Sequence, residues 1–206
     1  MTVIGEKDKR SIESAIAQAE EAGRAEIVVA WAKRSDSYAA WRALGTGLLT
    51  LSAIFVIRDV HPALSMDWLL LMEVPIALLC WGVCGLPVLL RLMVPLPILQ
   101  RAVHRRAMRT FLEAGVAQTE KRTGVLIFVS ELERRVEIVA DRGIHEHMGT
   151  QGWQAHVESI VSGIQHRQTA QAICGAIHSI GEEIHKVIAP TPRNPNELPN
   201  RVLYVD

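Results

Sequence analysis

The chain has 206 residues, and its 22 lysines and arginines balance 22 aspartates and glutamates. That length holds one globular domain with a real core plus an appendage, and the even charge argues against a nucleic-acid binder. Three cysteines, Cys80, Cys84 and Cys174, exclude a disulfide scaffold.

The apolar residues are unevenly spread. Their excess lies between residues 43 and 100, which excludes a plain soluble domain as the default. Ahead of it, residues 9–22 predict a helix with Ile12, Ala15, Ile16 and Ala19 on one face, ended by Gly23. AEIVVAWA at 25–32 predicts a strand, and Ser35, Asp36 and Ser37 a turn.

Ala43 to Ile57 is the first uncharged run. Its fifteen residues make about 22 Å of helix, short of the roughly 30 Å hydrocarbon core. A start near Ala39 makes up the difference, with Trp41 at the interface and Arg42 and Arg58 snorkelling at the ends. The second run, Trp68 to Leu90, carries one charge, Glu73, and two prolines, Pro75 and Pro87, that predict kinks. The prolines of 92–100 predict an irregular apolar segment at the membrane surface.

The alternative is a buried helical hairpin in a soluble oligomer, but apolar surface all round both helices is hard to cover in a chain this size. Both segments lie well inside the chain, so neither reads as a cleaved signal peptide. Lys33, Arg34 and Arg42 precede the first span; Arg91, Arg101, Arg105, Arg106 and Arg109 follow the second. The connector offers only Arg58 against Asp59 and Asp67. Basic residues stay inside, so both termini are expected in the cytoplasm, with a short loop outside. Arg42, Arg101, Arg105, Arg106 and Arg109 are then the expected contacts to anionic headgroups, and the lipid bilayer the first partner. Glu73 is a membrane-embedded polar candidate, or an interfacial one through its closeness to Asp67.

Residues 103–117 predict a helix. GVLIFVS at 124–130 predicts a central strand and RVEIVAD at 135–141 an antiparallel partner, with Val136, Ile138 and Ala140 on one face and Glu137, Val139 and Asp141 on the other. Helices are expected over 150–164 and 169–188, then a Pro/Asn-rich tail from 189 in which VLYV at 202–205 is able to dock. A strand at 25–32 is unstable alone and is expected to pair with 124–130. This divides the chain into 1–38, a transmembrane hairpin with its exit segment at 39–100, the rest of the domain at 101–188, and a tail at 189–206. Helical connections favour a layered α/β fold.

TEKRTGVLIFVS at 119–130 followed by RRVEIVADRGI at 134–144 resembles the core of the TPM domain. EIVVAWA resembles that family's first strand, and the likeness covers about 9–42 and 102–188. The middle is similar to bacterial membrane TPM proteins with an inserted transmembrane pair. The resemblance implies a Rossmann-like α/β/α sandwich. Some plant relatives are described as acid phosphatases, some members bind calcium or other divalent ions, and others look like assembly factors, so fold follows more firmly than function. The matching residues are Arg122, Thr123, Gly124, Asp141 and Gly143. Relatives often carry a glycine-rich turn and then an acidic helix; DRGIHEHMG at 141–149 departs from that and weakens a carried-over calcium site.

Asp141 is the candidate to hold a divalent ion or activate water, Arg142 to hold phosphate, and Gly143 to let the backbone turn close by. A turn aspartate beside a solvent arginine is the bland reading. His145, Glu146 and His147, with His156 or His166, are the candidates for an imidazole–carboxylate metal site, though the spacing fits no standard signature. Asp36 and Ser130 share a sheet edge if their strands run parallel, and Asp141 then lies at the opposite edge. Arg122 and Thr123 read as structural, and Cys80 and Cys84 as packing residues. Phosphate-loop, dinucleotide and serine-elbow motifs are absent. Three functions remain: a membrane-tethered module for a protein, lipid or homo-oligomeric partner, without nucleic acid; a metal-dependent phosphatase using Asp141, Arg142 and His145 or His147; and part of a small-solute transporter, which only Glu73 hints at.

Overall fold

A computed structural model describes residues 5–21, 26–119, 122–187, 198 and 200–205, with backbone alone over 145–151. The chain divides into two compact units: Met1–Ser35 with Arg101–Asp206, and Asp36–Gln100.

In the first unit, helix α1 (Glu6–Glu21) leads to strand β1 (Glu26–Ala32). After the second unit come the end of α5 (Leu96–Glu113), a short 3-10 turn at Val116–Gln118, and the hairpin β2 (Gly124–Ser130) and β3 (Arg135–Ala140). Helices α6 (Arg142–Gln165) and α7 (Thr169–Val187) and strand β4 (Leu203–Val205) complete it. The sheet order is β3-β2-β1-β4. Strand β1 runs parallel to β2, from Glu26 opposite Gly124 to Ala32 opposite Ser130, and parallel to β4; β3 is antiparallel to β2.

Alternation along β1 and β2 supplies two cores, because successive side chains leave opposite faces of a strand. Ile27, Val29, Trp31, Val125, Ile127 and Val129 pack with Ile12 and Ile16 of α1, Ile160 of α6 and the isoleucines of α7. Val28, Ala30, Ala32, Leu126 and Phe128 pack with Val103, Ala107 and Phe111 of α5. Both central strands are buried along their whole length, as their unbroken apolar runs require. The fold is therefore α/β, with helices on both faces of a small mixed sheet.

The second unit holds α2 (Ala39–Val60), α3 (Met66–Cys84), α4 (Pro87–Met93) and the start of α5. Helices α2 and α3 are long and apolar enough to cross a membrane, with mean hydropathies of 1.6 and 1.7, and only 11% and 17% of those stretches is buried. At their shared end, Nε and Nη2 of Arg42 donate to the Trp81 carbonyl oxygen at 3.1 and 2.9 Å, and the guanidinium lies 4.2 Å from the Trp81 ring centroid. A cation on the last carbonyls of a helix is favoured by the helix dipole. Gly85 makes room for it, since a β-carbon there would meet the guanidinium.

Four expectations need correcting. The second apolar run is not one kinked span: α3 stops at Cys84, and Pro87 opens α4, where a proline costs no hydrogen bond. Residues 92–100 are not irregular, because Pro95 and Pro97 lie just before and within the first turn of α5, where amide donors are unused. The helix predicted over 103–117 ends at Glu113 and gives way to the 3-10 turn. Finally, α6 begins at Arg142 rather than near 150, because Asp141 caps it; Gly143 is a first-turn helical residue, not a tight turn.

Gly124 is held by its neighbour. A β-carbon there would fall onto the Val116 carbonyl oxygen of the 3-10 turn. Gly124→Ala is expected to cost on the order of 2 kcal/mol, because a backbone atom rather than a flexible side chain must give way. Urea unfolding of the purified protein in detergent measures this, and an unchanged midpoint would show that the approach relaxes freely.

Candidate functional site

The carboxyl ends of β1 and β2 lie side by side, the place where open sheets form pockets. A closed polar cluster fills it. Ser130, fully buried, donates its hydroxyl in a short bond to Glu133 Oε2, while Glu133 Oε1 accepts the Ser35 amide at 2.9 Å. The Ser35 and Ser130 hydroxyls are 2.8 Å apart, and Glu131 accepts the Trp31 indole N–H at 2.8 Å. Every donor already has an acceptor, so the cluster ties the β2–β3 turn to the end of β1. Ser35, not Asp36, meets Ser130; the Asp36 carboxylate accepts the Ser37 amide at 2.7 Å.

Asp141 stands at the other end of β2, about 20 Å from Ser130 along a seven-residue strand. Its amide donates to the Gly124 carbonyl, and its Oδ1 accepts the Arg142 amide at 2.6 Å as the cap of α6. Its Oδ2 is buried with no partner. Arg122 adopts a left-handed φ of 51°, and Thr119 Oγ1 accepts the Thr123 amide at 3.1 Å. The motif residues 122–124 thus set the entry of β2.

Two carboxylates missed in the sequence lie at the start of β1. Glu20 Oε1 accepts the Ile27 amide at 3.1 Å, and Glu26 Oε2 accepts the Leu198 amide at 3.1 Å. Burial, reinforced by the nearby Glu26 charge, pushes Glu20 from 4.5 to about 7 against the opposing Ile27 hydrogen bond. The signal was available: Glu20 continues the i, i+4 stripe of Ile12 and Ile16.

Among the described residues the histidine side chains do not converge. His156 Nε2 lies 3.2 Å from Glu183 Oε2 on α7, and His166 Nδ1 donates to the Ser162 carbonyl at 2.8 Å. The side chains of His145, Glu146 and His147 lie outside the described residues. His147 and His156 are nine positions apart on one helix, about 13.5 Å along its axis, which separates them from a shared ion. Among the described residues no three His, Cys, Asp or Glu side chains gather to hold a metal. Among the described residues the divalent ion implied by the resemblance therefore finds no donor set.

On α5, Arg101, Arg105 and Arg109 fall on successive turns of one exposed face with Met108 and Leu112, while Arg106 is half-buried. His104 Nδ1 lies 2.9 Å from Glu137 of β3. Glu73 is exposed on α3.

Residues 93–183 match the TPM domain family. The fold is similar to the NMR structure of BA42 protein from the psychrophilic bacterium Bizionia argentinensis, at 17% identity and a TM-score of 0.63, covering 99% of this chain and 97% of that one. No curated protein matches the chain. The chain thus carries a TPM-domain region; α1 and β1, outside that match, join it through the sheet.

Glu20 keeps its proton in the folded state to about pH 7 but loses it near 4.5 when unfolded. The folded form binds the extra proton, so stability falls as pH rises from about 4.5 through 7, by on the order of 3 kcal/mol. Glu20→Gln is expected to flatten that slope, raising the melting temperature at pH 8 but little at pH 4.5. Parallel melting curves for the two proteins from pH 4 to 8 would contradict this.

Proposed function

We propose that the chain is an integral membrane protein of the bacterial inner membrane, with both termini cytoplasmic, and that its TPM-like domain is a module for binding a protein or lipid partner there. In this reading a Rossmann-like sandwich is interrupted by the transmembrane hairpin. The observation that carries it is the pair α2 and α3, which pack on each other yet leave Leu48, Phe55, Leu71 and Leu78 exposed. At about 1.5 Å per residue they are roughly 33 and 28 Å long, matched to the hydrocarbon core. Basic residues flank the joined ends, and Glu73 lies near the opposite end of α3, about 10 Å from its start, within reach of the headgroups. Arg101, Arg105 and Arg109 offer an anionic surface three cations on one helix face.

The chain is expected to stay in the membrane pellet after carbonate washing. In a cysteine-free background, Ser65→Cys should react with an impermeant maleimide in intact cells, whereas Ser179→Cys should react only after lysis. Labelling of Ser179→Cys from outside would reverse the orientation, and release by carbonate would end the transmembrane reading.

One observation favours the hydrolase reading: the partnerless Oδ2 of Asp141, beside Arg142 at the start of α6. The cap already accounts for the other oxygen. Purified full-length protein is therefore expected to release no phosphate from a phosphomonoester that depends on Asp141, with or without added divalent ions. An activity lost in folded Asp141→Asn and Arg142→Ala would move the site there and make the protein an enzyme.

A further inference from the structure

Strand β4 ends the sheet. It pairs with β1 along one side only, and among the described residues its outer edge has no strand against it. An open edge presents backbone donors and acceptors that a further strand satisfies. A cleft of about 390 Å³ opens beside it, lined by Val28, Thr110, Glu113, Arg201, Leu203 and Val205. Leu203 and Val205 pack against the same core as α5, so the cleft lies on the α5 face of the sheet.

Thr110 makes this cleft more than a bare apolar surface. Its residue is 3% exposed, and its Oγ1 is buried with no hydrogen-bond partner. A hydroxyl in that state costs stability, which a ligand offering a polar group recovers. The walls combine aliphatic side chains and Tyr204 with one cation, Arg201, and one anion, Glu113. An ion of either sign alone would meet a like charge.

We propose that this edge binds an extended peptide segment of a partner protein. The segment adds to β4 as a fifth strand and seats a hydroxyl- or amide-bearing side chain against Thr110. A peptide fits better than a small solute because it alone offers backbone groups to the β4 edge and side chains to the cleft together. The alternation of a strand sends every second side chain toward α5. The proposal rests on the interaction-module reading and names the partner's chemistry: a β-strand, rather than a lipid or an amphipathic helix.

The test pans a phage-displayed library of random dodecapeptides on the full-length protein in detergent. Enriched sequences should alternate β-branched residues with Ser, Thr, Asn or Gln. Synthetic copies should bind saturably by fluorescence anisotropy and slow amide exchange at 203–205. Thr110→Val keeps the shape and removes the hydroxyl, so it should leave the protein folded with an unchanged or higher melting temperature yet weaken peptide binding about tenfold. Arg201→Ala should weaken it as well, and proline at alternate peptide positions should abolish it. No enrichment over a cleft-filling Thr110→Trp control, binding indifferent to Thr110→Val, or enrichment of helical amphipathic peptides would each overturn the proposal. Carbonate resistance of the membranes from which the protein is purified distinguishes that failure from failure of the membrane reading.

Discussion

The parallel pairing of β1 with β2 is the constraint on which the domain depends. The two strands are separated in sequence by the whole apolar hairpin and α5, yet all seven residues pair in register. That register decides which side chains face α1, α6 and α7 and which face α5. A one-residue slip would carry Ile27, Val29 and Trp31 to the wrong face and strand Ile12 and Ile16 without a floor. It also places Ser35 beside Ser130 and Glu26 beside Thr123. The polar fastenings at the two ends of the sheet are consequences of the same alignment.

Those two ends treat a buried carboxylate differently. Glu133, 2% exposed, is wrapped by the Ser130 hydroxyl and the Ser35 amide, so its two oxygens are both used. Glu20 has one oxygen on the Ile27 amide, the other without a partner, and a second carboxylate nearby. Burial is why Glu20 holds a proton, because its hydrogen bonding is too sparse to offset the loss of water. The first arrangement braces a turn. The second leaves the start of β1, where the C-terminal segment is attached through Glu13 and Glu26, sensitive to protonation.

Much of this was legible in the residues. The β-branched runs at 25–32 and 124–130 and the alternation at 135–141 mark three strands, because a half- or fully buried strand has little freedom in what it displays. Misreadings clustered where one residue type serves two purposes. Pro87, Pro95 and Pro97 read as breakers but stand at helix starts, where the missing amide is no loss. Asp141 and Gly143 read as a turn, and Asp141 is instead a cap whose helix runs on through the histidines. Partners brought by the tertiary fold were beyond reach: the Glu133 cluster, the His156–Glu183 contact and the docking of VLYV on β1 join segments that no local pattern connects. For the candidate site the sequence placed Asp141 and Ser130 at opposite ends of β2, but it gave no warning of Thr110, a threonine in a helical stripe like any other.

The Arg42 grip on the end of α3 carries an implication for synthesis. Arg42 and the Trp81 carbonyl are separated by 39 residues, so the first helix is made well before its anchor exists. Until Trp81 emerges, the guanidinium has neither that carbonyl nor that ring to hold. The two helices therefore complete this contact as a joined pair, with the cation captured as the hairpin closes. A lysine would supply the charge but not the planar fork that bonds a carbonyl and stacks on indole at once. The choice of arginine over lysine thus decides how firmly that end of the hairpin is closed.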